Sequence, residues 1–192
     1  MNVLSIDVDW GISNLHQSLL TRFFYNKTKV VDEIIFANYH HSILEVLPTN
    51  IDINLYNVDH HHDVCYQEWQ CNKIRNYGTV EYGCWVGGLL YKNRLASVTW
   101  IGNVESEPVR SNTFAERFIL DSKSTFTVDF SLERLYNKNY DMIFVCRSDD
   151  YISSEYRGLY DTYLNSCLEL YPSKTRIVGL KQENIPFSSI II

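Results

Sequence analysis

Residues 51–63 read IDINLYNVDHHHD. Ile51, Ile53 and Leu55 alternate with polar neighbours, the period of a β-strand with one face in a core. The strand then runs into Asp59, three consecutive histidines and Asp63. A core strand has no use for such an ending, and a solvated polar tract needs no apolar lead-in. In an open α/β sheet, ligands bind beyond the carboxyl ends of the strands. The stretch therefore reads as a strand that delivers ligating side chains to a site.

Other segments repeat the pattern. Residues 2–8 (NVLSIDV) form a buried strand ending in carboxylates, and residues 32–38 (DEIIFAN) a second one leading into YHHSILEVL, which has helical periodicity. Residues 95–102 (LASVTWIG), 140–148 (YDMIFVCRS) and 175–180 (TRIVGL) read as further strands. Between them, residues 13–24 place Leu15, Leu19, Leu20, Phe23 and Phe24 at helical spacing behind a Ser13 cap. Residues 81–93 and 153–171 also read as helices, and the polar, aromatic-rich stretch up to Tyr77 as a loop. Strands alternating with helices predict an α/β fold: one three-layer domain over residues 1–192 with a mostly parallel sheet. The terminal PFSSIII is expected to be an edge strand or a homo-oligomer contact.

Composition narrows the function. At 45% hydrophobic residues, 192 residues suffice for one sizeable core. No run of about 18 apolar residues predicts a membrane span, and the first residues lack the basic start and apolar block of a signal peptide. The five cysteines show no CxxC spacing and are odd in number, so reduced thiols and a cytoplasmic setting are expected. A net charge of −6 argues against a nucleic-acid partner and is compatible with a cationic substrate.

Three strand ends carry the chemistry. The first offers Asp7 and Asp9, the second His40 and His41, the third Asp59, His61 and Asp63. Alternation would put Asp7 and Asp9 on one face, and Asp59, His61 and Asp63 likewise on one face. Four converging carboxylates would repel one another, and divalent cations remove that cost. Mixed carboxylate and imidazole ligation suits manganese, iron or zinc, and the excess of oxygen donors favours two manganese ions.

At these residues the chain resembles the ureohydrolase (arginase/deacetylase-like) superfamily, in which D-x-H-x-D, S-x-D-x-D and an isolated histidine hold two manganese ions. Here Asp59, His61 and Asp63, then Asp7 and Asp9 in SIDVDW, and a histidine of YHHSIL match those elements. The chain is more similar still to a small family that includes peptide arginases, which convert arginine side chains of ribosomal precursor peptides to ornithine. The matching residues are His40-His41-Ser42-Ile43-Leu44, the Asp59–Asp63 cluster, and Glu81, Trp85, Trp100 and Ile101. The likeness covers about the first 105 residues. In ordinary arginases S-x-D-x-D follows D-x-H-x-D, whereas here it comes first.

The resemblance implies an arginase-like fold and hydrolysis of a guanidinium C–N bond in an arginine-containing precursor peptide. It implies His40 as the isolated ligand, with Asp63 on the same ion, Asp9 and His61 on the other, and Asp7 and Asp59 on both. Glu81, Asp149 and Asp150 are the candidates for binding the guanidinium, and His62 or His41 for moving the proton. Two other readings compete. One is a DHH-type manganese phosphoesterase, spelled by Asp59-His60-His61, although no basic residues cluster near the motif. The other is a non-catalytic, metal-stabilised peptide-binding module.

Overall fold

The computed structural model describes residues 1–11, 13–109, 113–148, 154–179 and 190–191, the last two and 154–157 by backbone alone. Apolar, β-branched runs form the strands at its centre: β1 (Asn2–Asp7), β2 (Glu33–Ala37), β3 (Ile53–Val58), β5 (Leu95–Ile101), β6 (Thr125–Asp129), β7 (Met142–Cys146) and β8 (Thr175–Val178). They pair in the order β6-β5-β3-β1-β7-β2-β8, every pair parallel. The sheet is thus wholly parallel rather than mostly so. Its interior strands are apolar on both faces because helices cover both.

On one face lie α2 (Glu68–Tyr77), α3 (Trp85–Tyr91) and α4 (Thr113–Asp121), whose Ile74, Leu89 and Phe118 share a core with Leu55, Val98 and Phe144. On the other lie α1 (Asn14–Thr28) and α5 (Ser154–Leu170), where Phe24 stacks on Tyr163 at 4.3 Å over Ile34, Phe36 and Ile143. The result is a three-layer α/β fold. A separate antiparallel pair joins β4 (Thr79–Val80) to β9 (Ile190–Ile191), within the terminal segment expected to be an edge strand.

Several expected elements come out differently. Ser13 caps α1 through the His16 amide, but Leu15 and Leu19 are exposed and Leu20, Phe23 and Phe24 are the buried stripe. YHHSILEVL makes a 3-10 helix, His40–Glu45, rather than an α-helix. Tyr39 offers no side-chain cap, and Pro48 disfavours helix in the residue before it. The stretch expected as a loop up to Tyr77 contains α2, with a Gln67–Gln70 capping box and Gly78 in left-handed conformation at its end. It buries only Cys71 and Ile74, too few for an apolar period to stand out. The elements α4 and β6 were not foreseen, and β6 is a partly exposed edge strand.

Register sets the site. Asp7 pairs with Cys146, Ala37 with Cys146, Ile6 with Val58, and Val58 with Ile101. The carboxyl ends of β3, β1, β7 and β2 therefore finish nearly level and side by side. The segments that leave them carry Asp59–Asp63, Asp7 and Asp9, Ser148, and His40. Among the described residues, no helix is long and apolar enough to cross a membrane.

Candidate metal centre

Asp7 closes β1, and the chain turns at once into a 3-10 turn, Val8–Trp10. This breaks the alternation expected to keep Asp7 and Asp9 on one face, and sends the two carboxylates to different places. Beyond β3, residues 59–63 are likewise not extended: Asp63 has φ 51°, a left-handed conformation seldom adopted by a side-chain-bearing residue. The carboxylates converge through these bends. The 3-10 turn after β2 brings in His40 from the far side of β7.

One group centres on His40. Its Nδ1 lies 3.1 Å from Asp59 Oδ2 and 3.3 Å from both Asp7 Oδ2 and Asp63 Oδ2. All four residues are buried. Despite those distances, Nδ1 has no partner in hydrogen-bond geometry. The three oxygens and the nitrogen thus crowd a common point without pairing in the way that hydrogen bonds require. The second group is Asp9, Asp59 and His61, with His61 Nδ1 3.3 Å from Asp9 Oδ2. Within each of the sets His40–Asp59–Asp63 and Asp9–Asp59–His61, one ligand atom per residue lies within 4.8 Å of the others. Asp59 belongs to both. A third set, Asp7, His40 and Cys146, meets the same distance.

Neighbouring side chains hold these groups in place. Ser5 Oγ lies 2.6 Å from His40 Nε2, so the other ring nitrogen is anchored, as is common for metal-ligating histidines. Trp85 Nε1 donates to Asp63 Oδ2 at 2.6 Å, Asn57 Nδ2 to Asp59 Oδ2 at 3.2 Å, and Ser148 Oγ to Asp7 Oδ2. Trp100 Nε1 donates to the Asp59 carbonyl at 3.0 Å. Of these, Ser5 and Asn57 could have been found from sequence, since each stands two residues before a ligand on the same strand face. Ser148 could not, because it reaches Asp7 from another strand.

The electrostatics favour positive charge at the cluster. Burial, then Asp7 and Asp59, hold the Asp9 carboxyl above the usual range; burial, then Asp63, does the same to Asp59. Burial alone would lower His40, but Asp59, Asp63 and Asp7 outweigh it and raise it well above its ordinary value. His61 is likewise lowered by burial yet pushed up to about 9 by Asp9 and Asp59. With protons as the only cations, the cluster keeps them. Divalent cations would relieve the same repulsion, and the donor set of four carboxylates and two imidazoles fits them.

The remaining candidates are placed as follows. His41 is buried in the wall of the cavity, against Tyr82, while burial and then the His40 charge lower it to about 4. His62 is buried too, lowered to about 4 by burial and then His61, and stacks on Tyr66 at 4.4 Å. Its Nδ1 accepts from the Val64 amide, and it does not line the cavity of the cluster. Glu81 does not line that cavity either; its Oε1 accepts from Lys73 Nζ. Asp149 and Asp150 lie outside the described residues. His60 stands apart from the ligand sets, with Nδ1 3.1 Å from Asn103 Oδ1. Comparisons with protein-family models, with curated proteins and with solved structures find no match for this chain.

Proposed function

We propose that the chain is a binuclear metal-dependent hydrolase, a peptide arginase that converts arginine in a ribosomally made precursor peptide to ornithine and urea. The observation that carries the reading is the His40 Nδ1 atom, buried among three carboxylates with no hydrogen-bond partner. Buried carboxylates crowded on one point are costly unless a cation, a proton or a metal ion, compensates them. Asp63, His40 and Asp7 would hold one ion, Asp9 and His61 the other, and Asp59 both. When bound, two divalent ions would supply Lewis acidity and a water of lowered pKa.

The residues of the chain supply the rest. Ser5 and Trp85 fix the ring of His40 and the carboxylate of Asp63. His41, buried in the cavity wall, would exchange a proton with the reacting group. In the overall reaction, water adds to the guanidinium carbon and the bond from that carbon to the chain nitrogen breaks. The nitrogen leaves as the ornithine amine, with urea as the second product. The phosphoesterase reading finds less support: among the described residues no lysine or arginine lines the cavity, and phosphate esters need such partners.

The test is incubation of the manganese-loaded protein with an arginine-containing peptide. Urea should appear, and mass spectrometry should show loss of CH2N2 per modified residue. Free arginine should be processed far less well. Metal binding without any urea would leave the metal-stabilised binding module.

A further inference from the structure

The guanidinium needs a holder, and the acid expected for it is engaged: Glu81 accepts from Lys73 outside the cavity. What does line the cavity beside the carboxylates is aromatic. Tyr82 packs on His41 with ring centroids 4.1 Å apart and stacks on Tyr39 at 5.8 Å with 16° between planes. These three rings and Gly83 face the same space as Asp59 and Asp63. His41 Nδ1 is buried and, among the described residues, has no hydrogen-bond partner. A polar atom left so in a cavity wall is what a bound donor would complete.

Resting on the reading above, we propose that Tyr39, His41 and Tyr82 form a slot that selects and orients a flat, cationic guanidinium end of the substrate. A guanidinium has five N–H donors in one plane and no acceptor. One N–H is donated to His41 Nδ1, while the aromatic wall attracts the cation electrostatically. A lysine ammonium is compact and strongly hydrated and matches the wall less well, and a neutral citrulline loses the cation–π attraction. Gly83 lines the same cavity. Its φ of −87° is ordinary, and an added Cβ would meet only Tyr66 Cε2 at 3.6 Å and Asp63 Oδ1 at 3.8 Å. The backbone there accepts a side chain, so a large one takes up space beside the slot, and the metal content of the variant shows whether Asp63 is disturbed.

The experiment uses manganese-loaded protein and a blocked Gly-Arg-Gly peptide with its lysine and citrulline counterparts. Binding is read by calorimetry, turnover by urea, and metal content by elemental analysis. Wild type should bind the arginine peptide about 10-fold or more tightly than the other two. Tyr82→Leu and Gly83→Leu should each keep their metal and weaken arginine binding by about 10-fold or more, with KM raised in step, and His41→Phe should do the same while also lowering kcat. Should His41→Phe or Tyr82→Leu not fold, Gly83→Leu decides. Equal binding of the three peptides by wild type, or unchanged binding and KM in metal-loaded variants, overturns the slot. Arginine-selective binding without urea would uphold the slot and sink the hydrolase reading. Urea release with unaltered KM in the variants would do the reverse.

Discussion

At Asp59 one side chain belongs to two ligand sets, so its replacement tests both at once. Asp59→Asn keeps the shape but removes the charge and one acceptor. The protein should then lose at least one metal equivalent by elemental analysis and nearly all urea release. Full metal content with full turnover would exclude the binuclear assignment at this residue. Ser5 works through its neighbour, as its hydroxyl touches His40 Nε2 and, among the described residues, no carboxylate of the cluster. Ser5→Ala should leave the fold in place and weaken metal binding by about 10- to 100-fold, the scale for losing such a support. Competition titration with a chelating dye would measure it; wild-type affinity would mean that the ring is aimed by packing on Phe144 and Trp85 instead.

Among the elements, α3 ties the core to the site. Gly87 donates its amide to the Asp63 carbonyl at 3.2 Å, and a Cβ there would lie 2.0 Å from the Val64 oxygen. That contact is with backbone, so Gly87→Ala must move the helix away from residues 63–65. Trp85, on the same helix, would carry its indole donor away from Asp63. The variant should therefore lose both thermal stability and metal affinity. A contrasting case stands at the amino end of the sheet, where buried Lys27 of α1 donates to the carbonyls of Tyr136 and Lys138 before β7. Lys27→Met leaves those carbonyls short of a donor at a cost of about 1–3 kcal/mol. It should lower Tm with metal affinity unchanged. If both variants affected metal binding alike, the link from α3 to Asp63 would not be the cause.

Over the whole molecule, the acidic cluster makes stability depend on pH and on cations. Stability rises with pH wherever the unfolded chain binds more protons, and falls where the folded chain does. From pH 6.5 to about 9, folded His61 keeps a proton that the unfolded chain has lost. His40 and Asp9, also raised, act with the same sign. Below 6.5 the effects oppose, because folded His41 and His62, lowered to about 4, hold fewer protons than when unfolded. The Tm of metal-free protein should thus fall as pH rises from 6.5 to 9. Manganese should abolish the decline, since the ions replace the protons and bind better as pH rises. At a free ion concentration of about 100 Kd the gain is about 2.7 kcal/mol. A metal-free Tm that stayed level or climbed across this window would show that the cluster is not the source of the strain.

What the sequence determined by itself was the layer plan and the set of carboxylates and imidazoles gathered at the strand ends. Apolar runs such as NVLSID and MIFVC read as interior strands, and carboxylates and imidazoles crowded at strand ends repel one another unless a cation compensates them. Local pattern did not reach α2, whose two buried residues leave little apolar period, nor the exposure of Leu15 and Leu19 on α1. It could not separate Asp7 from Asp9 either, because the turn after β1 overrides strand alternation. The tertiary structure alone decided which strands are neighbours. By setting β7 between β1 and β2 it brought Ser148 to Asp7, and by bending residues 59–63 it turned Asp63 toward His40. It also engaged Glu81 with Lys73 and gathered Tyr39, His41 and Tyr82 into one wall. These contacts join residues far apart in the chain, and their geometry follows from sheet order and register, which no local run of residues encodes.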